Sequence, residues 1–444
     1  MSTLPTWVKD YAQAYEQRVS TQPWVNELRQ AALERFATEG WPSRKIEAWR
    51  HTSMLPMEQR SFDTALEDFD RAAVEARVNK LKEIDSQGYW AAFINGQFDE
   101  QLSHVQGFNP KGTCVNVSEL LASDDTQAQK RIQEKWGQAC DGFTTQALNL
   151  AFADQGMYVH VPAGVEVQET LHIVHVHAQA NAATFSRSIF DVEDNAHLKV
   201  VEHHVSTVEE TGLNNSMSRA WIGAHGNLFH LRLQQENIQT VHLSGLQAFQ
   251  QEDSHLETHS LSLGAGLGRS EIETNFDGEN GYALLNGLYF VDGRRHIDHN
   301  TVMNHNVPHC LSHEYFRGIM DERGRGVFTG RIRVAEGADG TDAIQRSDSL
   351  LLAKMARADT RPELEIFADD VKCAHGATVG RLDEDSLFYL RTRGLSAEQA
   401  RDLLIYAFAT EVLDRIQPEH LRKAVTQGVQ QLLPGGLEIA QEQL

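Results

Sequence analysis

The segment DDVKCAHGATVG, residues 369–380, places four potential metal or sulfur ligands close together: Asp369, Asp370, Cys373 and His375. On a strand, residues two apart share a face with Cα atoms roughly 7 Å apart, so Cys373 and His375 would lie side by side. A thiolate and an imidazole can bind a soft metal, and an imidazole can also support a thiolate. The alternative is a buried cysteine beside a surface histidine. We interpret the two aspartates as a turn before the strand.

Histidines are frequent in this sequence, with 21 in 444 residues, and many lie in strand-like segments. In LHIVHVHA, His175 and His177 share a face with Ile173, so they could form a row of metal ligands along a sheet. Histidines in such a pattern are more often solvated residues on an outer face. We therefore expect solvent exposure here and keep metal binding as the alternative.

The elements that must position these residues change character along the chain. From about Met157, helical spacing gives way to short alternating runs such as HLKVVEHHV. An apolar position recurs at intervals of 27, 30, 28 and 27 residues, at Leu171, Leu198, Leu228, Leu256 and Ala283. A near-constant period of this length indicates stacked units, and several short strands per period predict a β-solenoid. A β-sandwich, which also has many short strands, is the alternative.

Helical patterns flank this region, which predicts three domains: a helical and mixed N-terminal domain (1–145), the β core (146–390) and a helical C-terminal domain (391–444). Ser396 and Gln399 form a capping box that begins the last domain. The following helix carries two apolar stripes, Ala400, Leu403, Leu404, Ala407 and Phe408 on one face, and Ile405, Ala409, Val412 and Ile416 on another. One stripe can bury against the chain's own core. The second is covered either by a later helix, around LRKAVTQGVQQLL, or by a partner.

Charge and cysteine usage restrict the class of protein. The net charge of −22 disfavours binding to nucleic acid or anionic lipid, since both would be repelled. The N-terminus does not resemble a signal peptide, and the apolar run LLIYAFA is far short of the ~20 residues that span a bilayer. Four scattered cysteines indicate a reducing compartment, so we expect a cytoplasmic protein. No GxxxxGK[ST] motif occurs, so the chain is not itself a P-loop ATPase.

Two segments carry a resemblance to a known family. ADDVKCAHGATVGRLDEDSLFYLRTRGLSAEQARDLL closely resembles the signature of the SufB/SufD family, the scaffold proteins of the SUF iron–sulfur cluster assembly machinery. PSRKIEAWRHTSM, residues 42–54, resembles the N-terminal element of the SufD branch, usually RKxExWKYT, with Arg50 and His51 replacing Lys-Tyr. The length also suits this branch, because SufB chains tend to be longer. The resemblance covers the β region and C-terminus well and the N-terminal third more loosely.

The resemblance implies a right-handed parallel β-helix core. It also implies that the chain is a scaffold, not an enzyme, and that it supports cluster assembly and iron delivery. It implies two partners, SufB in a heterodimer and the ABC-type ATPase SufC. The functional Cys and His of the family's KCxHG motif fall on Cys373 and His375. His375 is then the candidate metal ligand or proton-handling residue at the SufB interface, with Cys373 second. We expect no cofactor bound stably by this chain alone, although a nascent cluster or iron fits at that interface.

The same resemblance assigns partner surfaces. It implies that SufB pairs with this chain through the two β-helices. Because the last turn of a solenoid has unpaired amides and carbonyls, we predict that this contact lies near Val371 and Val379, unless the C-terminal helices cap that turn. The resemblance also implies that SufC docks on the C-terminal helices, for which the apolar stripes supply Leu403, Leu404, Ile405, Phe408 and Val412.

Two alternatives stay open at this point. Within the family, the chain could be a SufB-like scaffold that forms a homodimer. In a different class, parallel β-helices also host polysaccharide lyases and hydrolases, which use clustered carboxylates. Glu252 with Asp253, and Asp277 with Glu279, could imitate such a site.

Overall fold

Two parallel β-sheets wound into a solenoid form the centre of the chain. The computed structural model describes residues 5–16, 20–63, 68–109 and 111–432. Each coil contributes one strand to each sheet, and about 8 coils are stacked. The prediction of a mainly β chain with a solenoid core between helical flanks is confirmed, and the sandwich alternative is wrong.

The described residues contain nineteen strands. They are β1 (Tyr89–Ile94), β2 (Gln97–Phe98), β3 (Thr113–Asn116), β4 (Met157–Val161), β5 (Leu171–His177), β6 (Ala183–Val192), β7 (His197–Ser206), β8 (Gly212–Ile222), β9 (Asn227–Gln235), β10 (Thr240–Gln250), β11 (His255–Ser262), β12 (Leu267–Phe276), β13 (Tyr282–Val291), β14 (His296–His305), β15 (Leu311–Met320), β16 (Arg325–Val334), β17 (Asp342–Leu351), β18 (Arg357–Ile366) and β19 (Lys372–Gly380). The ten-stranded sheet has the order β19-β17-β15-β13-β11-β9-β7-β5-β1-β2. The nine-stranded sheet has the order β18-β16-β14-β12-β10-β8-β6-β4-β3.

Ten α-helices flank the sheets in the described part of the chain. They are α1 (Thr6–Glu16), α2 (Pro23–Glu39), α3 (Leu55–Glu58), α4 (Arg71–Lys82), α5 (Val117–Ala122), α6 (Thr126–Lys135), α7 (Thr144–Phe152), α8 (Glu384–Thr392), α9 (Ala397–Leu413) and α10 (Glu419–Leu432). The predicted capping box begins α9, where Gln399 N donates to Ser396 Oγ at 3.0 Å and Ser396 N donates to Gln399 Oε1 at 2.9 Å. Among these described helices, none is long and apolar enough to cross a bilayer.

The sequence repeat corresponds to one row of side chains inside the solenoid. Leu198, Leu228, Leu256 and Ala283 occupy the same position in successive strands of the ten-stranded sheet, and all are buried. Leu171 is the exception, because it pairs with the residue two positions beyond Leu198. It still faces the interior, since a shift of two residues keeps a side chain on the same face. The repeat therefore predicts the stacking of the coils, with the first coil out of register.

The outer face of the nine-stranded sheet is covered by the N-terminal helices. Leu213 and Val241 on this face pack in one buried cluster with Trp7 of α1, Phe36 of α2 and Leu148 of α7. Because both faces of these strands are buried, their sequences read as apolar or mixed on both sides. The N-terminal region also enters the sheet directly, since β1 pairs with β5 in parallel. The ten-stranded sheet thus begins within the region predicted as the N-terminal domain.

The N-terminal motif that resembles the SufD branch binds the same outer face. The Arg269 guanidinium lies 3.9 Å from the centroid of the buried Trp49 ring, and its Nη1 donates to the Ala48 carbonyl at 3.0 Å. Arg269 also pairs with Asp298, which accepts a hydrogen bond from Thr52 Oγ1. A cation over an indole face and charge-assisted hydrogen bonds to a buried carboxylate both favour this contact. The motif therefore fixes the N-terminal segment to the later coils of the solenoid.

Candidate functional site at the open end of the solenoid

The predicted site lies in the last coil, which is open along one edge. β18 and β19 are the outermost strands of the two sheets, and within the described residues each pairs with a neighbour on one side only. Apolar side chains are exposed beside this edge: Phe367 is 59% exposed, Val379 is 52% exposed and Ile366 is 40% exposed. Unpaired backbone groups and exposed apolar side chains together make this edge a surface suited to a partner.

Cys373 lies at the end of an interior row. It pairs with Ala343, which pairs with Ser312, and this row continues the repeat of leucines described above. The residue is half-buried and packs against the core of the solenoid. Burial, assisted by the nearby Asp342 carboxylate, raises the pKa of the Cys373 thiol. The thiol is therefore held in its protonated form, which is the weaker ligand and nucleophile.

His375 ends the adjacent interior row and is exposed at the open edge. It pairs with Gln345, which pairs with Glu314, and both of these side chains are buried. Gln345 Nε2 donates to Glu314 Oε2 at 2.6 Å, while Gln345 Oε1 has no partner among the described residues. Gln345 and Glu314 were not predicted from the sequence. The length of one coil, counted back from His375, would have identified them as its neighbours in the two preceding coils.

The remaining residues of the opening segment have supporting positions. Asp369 and Asp370 lie in the bend between β18 and β19, as interpreted from sequence, and the Asp370 carbonyl accepts a hydrogen bond from Gly340 N at 2.7 Å. Val371 is half-buried and packs against the core. Cys373 and His375 are thus brought to one face, whereas the two aspartates lie outside the site.

The C-terminal helices pack on the outer face of the ten-stranded sheet. Ile405 and Val412 of α9 are buried in one cluster with Leu231, Leu288 and Ile319 of the sheet. These two residues, expected to contact SufC, instead belong to the chain's own core. The second apolar stripe is therefore covered by the sheet and by α10.

The other expected SufC-contacting residues remain accessible. Leu403, Leu404 and Phe408 are half-buried. The Arg317 guanidinium of the sheet lies 4.5 Å from the centroid of the Phe408 ring, which is a cation–π contact. Leu403, Leu404 and Ala407 are therefore the part of the first stripe available to a partner, whereas Ala400 is buried.

Helix α8 adds apolar surface that sequence analysis missed. Phe388 is 68% exposed and Tyr389 is 56% exposed, and no residue of α8 is buried. The helix packs against α9, and both of these aromatic side chains are largely exposed. The segment SLFYL could have predicted this surface. It has more apolar side chains than one buried helix face can cover, so some of them must be exposed.

The histidines of LHIVHVHA lie inside the molecule. His175 and His177 face the interior of the solenoid and are buried, so the expectation of solvated outer-face residues is wrong. The row predicted along one face does exist, since the His175 ring stacks on His204 of the next coil with centroids 4.8 Å apart. The carboxylates of the polysaccharide alternative, by contrast, lie in exposed turns after β10 and β12.

Comparison with known proteins gives the family. Residues 6–173 match the SufBD protein N-terminal region, and residues 174–408 match the SUF system FeS cluster assembly, SufBD core domain. The iron–sulfur cluster assembly protein SufD of Escherichia coli (strain K12) is 29% identical over 400 residues, which cover 89% of this chain and 90% of that protein.

Two further relatives agree with these matches. A SufBD family protein of Synechocystis is 30% identical over 400 residues, covering 87% of this chain and 86% of that protein. SufD of Bacillus subtilis is 26% identical over 350 residues, covering 78% and 80%. The resemblance drawn from the two sequence motifs is confirmed, and the chain belongs to the SufBD family of the SUF system for iron–sulfur cluster assembly.

Proposed function

We propose that this chain is a SufD-type scaffold subunit that pairs with SufB through the open end of its solenoid and docks SufC on its C-terminal helices. The observation that carries the proposal is the unpaired edge of β18 and β19, flanked by Phe367 and Val379. A second solenoid can extend such an edge strand by strand, with backbone hydrogen bonds for affinity and apolar contacts for specificity. The relatives named SufD support the choice of branch.

In this arrangement His375 lies where the two solenoids meet. Its exposed imidazole can bind iron or accept a proton near neutral pH. Iron and sulfide are cargo in this proposal, assembled at the interface and passed on, so the chain acts as a scaffold and not as an enzyme. In the proposal ATP hydrolysis belongs to SufC, which is consistent with a sequence that has no P-loop motif. The scattered free cysteines fit a reducing, cytoplasmic setting.

The SufC surface in this proposal combines α8 and α9. Leu403 and Leu404 supply the accessible stripe of α9, and Phe388 and Tyr389 supply the exposed face of α8. Large aromatic and aliphatic side chains at the centre of an interface carry most of its binding energy. Ile405 and Val412 act indirectly, because they hold α9 against the sheet.

The test is co-expression of this chain, carrying an affinity tag, with SufB and SufC from the same organism. Size-exclusion chromatography with light scattering should give a complex of one tagged chain, one SufB and two SufC subunits. Anaerobic reconstitution followed by iron and sulfide counts should load this complex and not the isolated chain. A homodimer that excludes SufB would instead support the SufB-like alternative and contradict the proposal.

A further inference from the structure

A cluster of polar side chains lies inside the early coils of the solenoid, far along the chain from the open end. His204 of β7, Glu236 after β9 and His242 of β10 are each buried, and each places a ligand atom within 4.8 Å of the other two. We call these three residues the interior cluster. The proposed function assigns them no role, since they belong to coils remote from β18 and β19.

The Glu236 carboxylate is held in place from several sides. Asn214 Nδ2 donates to Glu236 Oε1 at 2.7 Å, and Gln234 Nε2 donates to Glu236 Oε2 at 2.9 Å. His242 Nδ1 lies 2.8 Å from Oε2, close enough for an ion pair but off the direction of a hydrogen bond. Groups that orient a carboxylate in this way are typical of the surroundings of metal ligands.

Three ring nitrogens around this carboxylate lack partners, although His204 Nδ1 accepts a hydrogen bond from Asn214 Nδ2 at 3.0 Å. Nε2 of His204, Nε2 of His242 and Nε2 of the neighbouring His175 are buried without a hydrogen bond among the described residues. A buried polar atom without a partner destabilises the folded chain. The contact between His242 and Glu236 involves Nδ1 of His242, so it explains none of these three atoms. A cation bound by His204, Glu236 and His242 would give a ring nitrogen of each of these two histidines a partner.

We propose that His204, Glu236 and His242 bind a divalent transition-metal ion of the Zn²⁺ or Fe²⁺ class inside the solenoid. Two imidazole nitrogens and one carboxylate oxygen form a donor set that suits these ions and is too nitrogen-rich for Ca²⁺ or Mg²⁺. Ligand atoms at about 2.0–2.2 Å from a tetrahedral ion lie roughly 3.5 Å apart, so small side-chain rotations suffice to close the site. The His175 ring stacks on His204 with centroids 4.8 Å apart, so it lies beside the three proposed ligands.

The first experiment uses the full wild-type chain, treated with EDTA and checked for folding by circular dichroism. Titration with Co²⁺, Zn²⁺ and, anaerobically, Fe²⁺ should reveal one saturable site per chain, and bound Co²⁺ should show the visible absorption of a low-coordinate nitrogen–oxygen site. Metal should also raise Tm, because an ion that binds only the folded chain stabilises it. A folded chain with no saturable site would overturn the proposal.

Variants locate the site. Glu236→Gln and His242→Gln should each weaken binding by more than about tenfold and abolish the metal-dependent rise in Tm. His305→Gln is the matched control, because His305 is an equally buried interior histidine that is hydrogen-bonded to Ser312 and lies outside the cluster. The variant His375→Ala/Cys373→Ala should keep the site. Loss of binding in that variant, with retention in Glu236→Gln, would place the metal at the open end and refute the assignment.

X-ray absorption spectroscopy of the wild-type chain with one equivalent of Zn²⁺ covers the case in which the cluster variants do not fold. The expected spectrum has nitrogen and oxygen neighbours at about 2.0–2.1 Å with the outer-shell scattering of imidazole. A sulfur neighbour at about 2.3 Å would show that a cysteine binds the ion. The interior cluster contains none, so that result would contradict the proposal.

Discussion

Cys373 pairs with Ala343 at the end of an interior row of the solenoid, and it packs against the core. Burial and the Asp342 carboxylate raise the pKa of its thiol, whereas His375, two residues further on the same face, is exposed at the open edge. The two residues of the KCxHG motif are therefore not equivalent. The cysteine is placed as a small core residue, and the histidine is placed to meet a partner or a ligand.

We expect His375→Ala to abolish most cluster formation and Cys373→Ala to retain it. Both variants should form the complex with SufB and SufC and keep their stability within about 1 kcal/mol, because neither side chain fills a large part of the core. Cluster yield in cells, complex formation and Tm are the measurements. Lys372→Ala, which removes an exposed side chain from the opposite face, is the control. Full cluster yield from His375→Ala would remove this residue from the chemistry.

Val379→Asp should weaken the heterodimer with SufB. Val379 is exposed at the open edge, and a carboxylate there would be desolvated on pairing without a partner charge, which costs several kcal/mol. The affinity measured by calorimetry should fall by at least about tenfold. Ile238→Asp, an equally exposed apolar residue in the turn between β9 and β10, should leave the affinity unchanged. Equal affinity of the folded Val379 variant would place the interface elsewhere.

Adjacent residues of α9 should separate SufC binding from stability. Leu404→Asp changes a half-buried residue of the accessible stripe, so it should prevent co-purification of SufC with little effect on Tm. Ile405→Ala removes a buried side chain that packs against the sheet, and we expect it to lower the free energy of unfolding by about 2–5 kcal/mol. Its SufC binding should persist wherever the chain is folded. If Leu404→Asp still co-purifies with SufC, α9 does not form the docking surface.

Point substitutions are preferable here to removal of the C-terminal helices. A chain cut near Arg393 would lose α9 and α10, and the sheet residues Leu231, Leu288 and Ile319 beneath them would become exposed. The truncated chain would then fail for reasons of stability, and its loss of SufC would carry no information about docking.

The sequence predicted the solenoid because its coils are regular. Leu198, Leu228, Leu256 and Ala283 recur at the length of one coil, and the KCxHG motif follows as one of the last strands. Leu171 broke the register by two residues, since it pairs with Val200, 29 residues later, and not with Leu198, 27 residues later. No local pattern could reveal that shift, because both candidate registers place apolar side chains inside.

The sequence did not predict which faces are buried. Alternation places His175 and His177 on one face, but a solenoid strand has a core on its inner side and covering helices on its outer side. The usual assignment of polar residues to solvent then fails. For the same reason, the two stripes of α9 could not be told apart, because the sheet residues in the buried cluster with Ile405 include Leu231 and Leu288, more than a hundred positions earlier in the chain.

Glu314 lies buried two coils behind the open edge, next to Gln345 in the row of His375. Burial raises the pKa of its carboxyl from 4.5 to about 7, and the hydrogen bonds that it receives offset this only in part. Between about pH 4.5 and pH 7 the folded chain keeps a proton that the unfolded chain has lost. The stability contributed by the neutral acid is thus fully present below pH 4.5 and is lost as the pH rises to about 7.

Glu314→Gln should remove this pH dependence, because an amide of nearly the same shape replaces the neutral acid and never ionises. The free energy of unfolding, measured by urea titration between pH 5 and pH 8, should fall for the wild type relative to the variant by up to about 3 kcal/mol across this range. Buried histidines contribute their own slopes, so the difference between the two chains is the quantity to compare. Glu336→Gln, which alters an exposed carboxylate, should follow the wild type at every pH. Parallel curves for Glu314→Gln and the wild type would mean that Glu314 is ionised in the folded chain throughout.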